Sequence, residues 1–461
     1  MLQSGFPLRF QTLFLTAAAA LVAVGTAASG QSIDLFSIAR SHPAIAYTSR
    51  PLHDPVAALI ARVERGEQRL AFDPQRGYLP AVLEALKIHE DSQVLVFSKT
   101  SFQAAKINPQ NPRALYFNDA VSVGWVRGAE YLEFAAQDPE QGAIFYTLVR
   151  SEAGTPTFTR DYSCLACHIS ESTMQVPGMF AGSLYPNPTG MPMYAPVYYT
   201  DHRSRFEQRW GGWYVTGQHG TARHIGNGVV TDPLNLLSIS TAANQNLRSL
   251  AARFDATGYA SGHSDIVALM ALEHQMHLAN LLTRVAWEAR IDSPEGRAIV
   301  ESRNTPSARE PGSGAVIEAT RPAPRAMAGL RSRPLRDAVV EIVDYMLFVD
   351  EVAFEGPVEG TSGFTQRFSA EGPRDSKGRS FRQFDLERRL LRYPCSYMIY
   401  SAQFEALPAV VRQAIYERIG VVLTGGDPDP IYQKLTPADR TAIIEILRET
   451  KTDLPAQFGE R

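Results

Sequence analysis

Three cysteines occur in this chain of 461 residues, and two of them stand in Ser163-Cys164-Leu165-Ala166-Cys167-His168. Thiols separated by two residues can reach the two vinyl groups on one edge of a porphyrin, and a histidine directly after them is carried beneath the iron. The spacing is that of covalent haem attachment. Cys164 and Cys167 are therefore expected to hold one haem c, with His168 as the proximal axial ligand. Other uses of paired thiols fit less well. A zinc site wants further ligands at similar local spacing, and none stands nearby. A thioredoxin-like pair wants a strand, loop and helix in a βαβ setting, which the flanks do not supply. Cys395, in Tyr393-Pro-Cys-Ser-Tyr-Met-Ile-Tyr400, is then left without a partner and is expected as a buried, inert thiol.

The sixth position of the iron decides between different chemistries, because a methionine, a histidine and an open site each imply another use of the group. Met191-Pro192-Met193 has the methionine and proline of small cytochromes, yet it follows His168 closely, with little chain to fold around a porphyrin. On the helical pattern Ser264 to Trp287, His274 has Val267, Met270, Ala271, Leu278 and Leu281 on its own face. Its imidazole is expected in the apolar interior, as a hydrogen-bonded core residue or as the distal ligand. His277 lines up instead with Glu273, Asn280 and Arg284, a more polar flank. His219 and His224 are the remaining distal candidates. Arg223 beside His224 invites comparison with the arginine and histidine of peroxidases, but neighbours on a strand or a helix point apart, and a polar turn explains the pair as well. The aromatic segment Trp210 to Gly217 could set rings against a haem face or relay an electron, but ordinary core is the expected use of such a cluster.

These residues need elements to carry them. Asp54 followed by Pro55, with Val56, Leu59, Ile60 and Val63 at helical spacing, predicts a capped helix. A short helix is expected at Leu79 to Leu86, and extended chain at Val94 to Phe97 and Arg113 to Tyr116. Alternation at Val121, Val123 and Trp125, a turn near Gly128, and runs at Tyr131 to Ala135 and Ala143 to Val149 predict a β-rich segment leading into the cysteine motif. Prolines and glycines from Pro177 to Pro196 predict an irregular stretch. A short strand is expected at Trp213 to Thr216. Further helices are expected at Arg336 to Val349, Pro408 to Ile419 and Pro437 to Leu447, the last opened by a capping box of Thr436 and Asp439, with a long loop from Glu355 to Ser380. The fold class is mixed α+β, predominantly helical, with the β-rich segment next to a single haem site.

The N-terminus reads as a secretory signal over residues 1–30: Arg9, an apolar run from Thr12 to Gly25, and small residues from Ala27 to Gly30. A mature chain starting near Gln31 and located in the periplasm, or otherwise exported, is expected, with no transmembrane segment after cleavage. The rest divides into an α+β haem-binding region (31–300), a linker or surface loop rich in arginine, proline and glycine (301–335) and a helical region (336–461). The net charge of −3 gives no reason to expect nucleic acid or an anionic membrane as partner. The chain holds no P-loop, GxGxxG, GxSxG or HExxH, which removes the commoner motif-based enzyme classes.

The chain resembles a family of exported bacterial proteins that carry one c-type haem motif. The resemblance rests on Arg113-Ala-Leu-Tyr-Phe-Asn-Asp119, Val123-Gly-Trp-Val126, Cys164 to His168, Trp210 to Gly220, Arg223-His-Ile-Gly-Asn227 and Glu273-His-Gln275. It runs from about Pro51 to Arg290, and more loosely from Tyr393 to Leu407. It implies export and haem but supplies no substrate, and it sets His274 ahead of His277, whose position often differs in the relatives. The expected minimal activity is haem-linked electron transfer with a redox partner protein or a small-molecule donor or acceptor, alone or as part of an oxidoreductase. The alternatives are a haem enzyme with an open distal site, peroxidase- or oxygenase-like, and a haem-based sensor.

Overall fold

A computed structural model of the chain describes residues 40–303, 330, 332–455 and 458–459. The expected signal segment (1–30), the expected start near Gln31 and most of the expected linker (301–335) lie outside the described residues.

Helix α1 (Pro55–Glu64) begins as its sequence requires. The Asp54 carboxylate accepts from the amides of Val56 and Ala57, each at 2.9 Å, and Val56, Leu59 and Val63 are buried on one side. After α2 (Leu79–Ala85) the chain runs through β1 (Val94–Val96), β2 (Arg113–Phe117), β3 (Val121–Trp125), β4 (Tyr131–Asp138), β5 (Gly142–Val149) and β6 (Phe158–Arg160). The cysteine motif follows, ending in the single turn α3 (Leu165–His168). A two-stranded ribbon, β7 (Ala181–Ser183) with β8 (Tyr198–Thr200), and the short strand β9 (Trp213–Tyr214) precede the long helix α4 (Ile266–Asp292). Beyond it lie α5 (Pro294–Arg303), α6 (Arg333–Met346), α7 (Phe364–Ala370), α8 (Ala402–Glu405), α9 (Ala409–Leu423) and α10 (Pro437–Thr450). The protein is mixed α and β, with 35% of residues helical and 13% in strands, so helix predominates.

The first six strands form an antiparallel meander, and β9 joins the free side of β1, giving the order β6-β5-β4-β3-β2-β1-β9. Side chains alternate across it. Leu95, Ala114, Tyr116, Val123, Trp125, Leu132 and Phe134 meet the apolar sides of α1 and α2. Val94, Val96, Leu115, Phe117 and Trp213 face the other way, onto the core that contains α4. Register places Ala135 opposite Phe145 and Glu133 opposite Thr147, so Phe145 stands on this second face of the sheet.

The second face is where α4 and the C-terminal helices gather. Helix α4 is buried on nearly every side, because one continuous core runs from Val94 and Val96 through α4 to α6, α9 and Phe458. Its start is fixed by the fully buried Asp265. One carboxylate oxygen takes the amides of Val267 and Ala268, and the other takes those of Thr361 and Ser362. The capping box of Thr436 and Asp439 opens α10 as expected. Two expected loops contain regular structure. Strand β7 lies inside the Pro177 to Pro196 stretch, and α7 lies inside Glu355 to Ser380, held by buried Phe364 and Phe368 one helical turn apart.

Candidate functional site

The cysteine motif sits on a tight turn. The Asp161 carboxylate accepts the amide of Ser163 at 2.9 Å, and Leu165, 4% exposed, pins the turn into the core. Cys164 is half-buried and Cys167 exposed, and neither is in a disulfide. Burial, with the carboxylates of Asp161 and Glu133 nearby, pushes the Cys164 thiol up to about 12. That is the reverse of what a disulfide-exchange thiol needs, since the thiolate is the nucleophile in such chemistry.

His168 is held on three sides. Its ring lies against Phe145 (4.7 Å between ring centres) and Phe180 (5.5 Å), and Nδ1 stands 2.8 Å from the Gly178 carbonyl. A carbonyl only accepts, so Nδ1 carries the proton and donates it. Nε2 then keeps its lone pair, and it has no hydrogen-bond partner among the described residues. Burial lowers the pKa of the ring below the ordinary histidine value, favouring the neutral imidazole that a metal ligand must be. The Gly178 amide returns a bond to the His168 carbonyl at 3.0 Å. The neighbouring carbonyls are held as well: that of Pro177 accepts from Ala143 on β5 at 3.0 Å, and that of Met179 accepts from Asn280 on α4 at 2.7 Å.

Phe180 also lines a cleft of about 250 Å³ between the segment after the motif, the β7–β8 ribbon and α4. Met174, Met179 and Met276 supply apolar wall, and Glu273 and His277 supply polar wall. Glu273 is 2% exposed. Thr200 donates to one of its oxygens at 2.6 Å, and the Arg209 guanidinium stands 3.6 Å from the other. Burial outweighs these partners and pushes the carboxyl up to about 7, where it can hold or release a proton near neutrality. Burial also drives His277 down to about 4. Its neutral Nε2 accepts from Arg203 at 2.8 Å, and Arg203 in turn grips Asp201.

The distal candidates lie elsewhere. His274 is fully buried, as its helical position required. Its Nε2 stands 2.7 Å from the Ser396 hydroxyl and its Nδ1 3.0 Å from Nδ1 of His202, with Tyr345 and Phe348 against the ring. Both ring nitrogens are thus engaged inside the protein. His224 accepts the Gly226 amide on Nδ1 and packs on Trp210 and His219. Arg223 is exposed while His224 is buried, so the pair points apart. His219 stands at 2.9 Å from the Ala222 carbonyl through one nitrogen and accepts the Asn246 amide through the other. Met191 is 48% exposed, and Met193 packs against the small cluster of Tyr185 and Ile225. Among the described residues the aromatic contacts of the His168 ring are with Phe145 and Phe180, and His277, rather than His274, reaches the cleft wall. Sequence reasoning missed His202, whose contact with His274 spans 72 positions, and the part played by Gly178. The signal for Asn280 was its place on the polar flank of an otherwise apolar helix.

Cys395 is fully buried, and burial pushes its thiol well above the ordinary range, as its apolar setting implied. Among the described residues no group of three or more His, Cys, Asp or Glu is arranged to hold a bare metal ion, and no helix is long and apolar enough to cross a membrane. The chain matches no protein-family model, and no curated protein and no solved structure is significantly similar to it.

Proposed function

We propose that the protein is an exported c-type cytochrome in which Cys164 and Cys167 bond one haem through sulfur and His168 ligates its iron through Nε2. The observation that carries this reading is the hydrogen bond from His168 Nδ1 to the Gly178 carbonyl, which fixes the tautomer and leaves Nε2 as a ready ligand. Two unpaired thiols on the preceding turn, one half-buried and one exposed, complete a donor set that fits the group. When bound, haem supplies a one-electron ferric–ferrous couple. The chain's own residues do the rest. Phe145 and Phe180 shield the imidazole faces, and the Gly178 carbonyl draws on the Nδ1 proton and makes Nε2 a stronger donor. Electron transfer with a redox partner protein or a small-molecule donor or acceptor is the minimal activity.

The direct test replaces Cys164 and Cys167 together by alanine. Covalent haem is expected to disappear from protein matured in a haem-attaching periplasm, and haem retained covalently in the double variant overturns the assignment. A second reading, an oxidoreductase acting on a small substrate, draws support from the cleft and from Glu273 as a proton carrier on its wall. It requires an open or displaceable sixth position. Added cyanide or carbon monoxide should then change the visible and EPR spectra, whereas low-spin iron indifferent to both supports the carrier.

A further inference from the structure

Three successive carbonyls, those of Pro177, Gly178 and Met179, are tied to three different parts of the molecule: β5, His168 and α4. The last tie belongs to Asn280, 1% exposed, on the long helix. Its amide orientation follows from its partner, since only Nδ2 can donate to the Met179 carbonyl. The other end of the amide, Oδ1, is buried without a hydrogen-bond partner among the described residues and lies against the Cα of Gly178, where any Cβ would collide with it. The positive-φ region plays no part in choosing glycine here; the closeness of the Asn280 amide does. One side chain thus bonds the carbonyl of Met179, the residue after Gly178, and packs on Gly178 itself, whose carbonyl accepts the hydrogen bond from His168 Nδ1 and whose amide bonds the His168 carbonyl.

We infer that Asn280 is a positioning residue for His168: by clamping Gly178 and Met179 to α4 it fixes the carbonyl that orients the imidazole and sets the donor strength of Nε2. The inference rests on the proposed role of His168 for its electronic consequence, and on the clamp alone for its mechanical one. A slack acceptor holds the Nδ1 proton less well, so Nε2 becomes a poorer donor. A poorer donor stabilises the oxidised metal less, so the potential rises when the clamp is lost.

The test is Asn280→Leu, close in volume and lacking the donor, compared with the wild type after maturation with haem. The expected result is retained covalent haem, a higher midpoint potential, shifted His168 ring resonances, and exchange of the Gly178 amide faster by about fivefold, the factor that one net hydrogen bond carries. Amides in α9 should be unaffected. An unchanged potential and unchanged Gly178 exchange, even with a lower melting temperature, overturn the inference and leave Asn280 as ordinary core. If the wild type proves to carry no covalent haem, the proposed function fails by itself. Gly178 exchange in the haem-free protein then decides: faster in the variant supports the clamp, and unchanged refutes it. If Asn280→Leu does not fold, Gly178→Ala and the pair Gly178→Ala/Asn280→Ala replace it. Partial rescue of the first by the second substitution supports the clamp, and simple addition of the two losses contradicts it.

Discussion

Glu273 illustrates how a residue's surroundings set its chemistry. Between the ordinary carboxyl value of 4.5 and about 7 the folded protein holds a proton there that the unfolded chain has already released. The stability this contributes is therefore lost as the pH rises through that window. Glu351, raised by burial to about 7, has the same sign. His274 and His277, held neutral by burial down to about 3 and about 4, have the opposite one: as the pH drops below 6.5 the unfolded chain takes up protons that the folded protein does not, and stability falls. Glu273→Gln is expected to remove part of the decline between pH 4.5 and 7 and to leave the acid side unchanged. Urea unfolding at a series of pH values measures this, and curves that stay parallel throughout contradict it. The two kinds of residue also differ in how readable they were. Cys164, Cys167 and His168 stand out as candidates because the C-x-x-C-H pattern they form is local in the chain. The pairings of His274 with His202 and Ser396 span 72 and 122 positions, and nothing local encodes them.

At the scale of elements, caps and periodicity carried most of the information. Asp54, Thr436 and Asp439 mark their helices in the sequence because the amides they satisfy lie within three residues. The short β7–β8 ribbon and α7 escaped notice because proline and glycine surround them and tertiary burial, through Phe364 and Phe368 in the case of α7, holds them. Asp265 is a cap of another order. Its two oxygens accept four backbone amides, two of them in the 361–362 turn, so it joins α4 to the C-terminal region as well as starting the helix. Asp265→Ala should cost on the order of 2–4 kcal/mol, more than loss of an ordinary cap, because buried donors in α4 and part-buried ones at 361–362 all lose their acceptor. A chemical denaturation midpoint within the range of exposed-cap variants would show that water replaces the carboxylate.

Across the whole molecule, α4 is the shared element: one side meets the sheet and the strap of carbonyls at 177–179, another meets α6 and its neighbours. The expected mixed class and the predominance of helix hold, while the joining of N- and C-terminal regions through one core depends on contacts between distant segments that no local pattern displays. A fragment ending at Arg303 would strip α4 of Val339, Ile342, Val343 and Met346 on α6. It is expected to lack a cooperative thermal transition, and a fragment that melts sharply near the full-length temperature contradicts a shared core. The central claim remains chemical, and the intact mass of the mature protein, produced in a periplasm that attaches haem, tests it most directly. One haem in excess of the processed polypeptide, bound so that denaturation does not release it, is the expected result. A mass equal to that of the bare polypeptide would contradict the account.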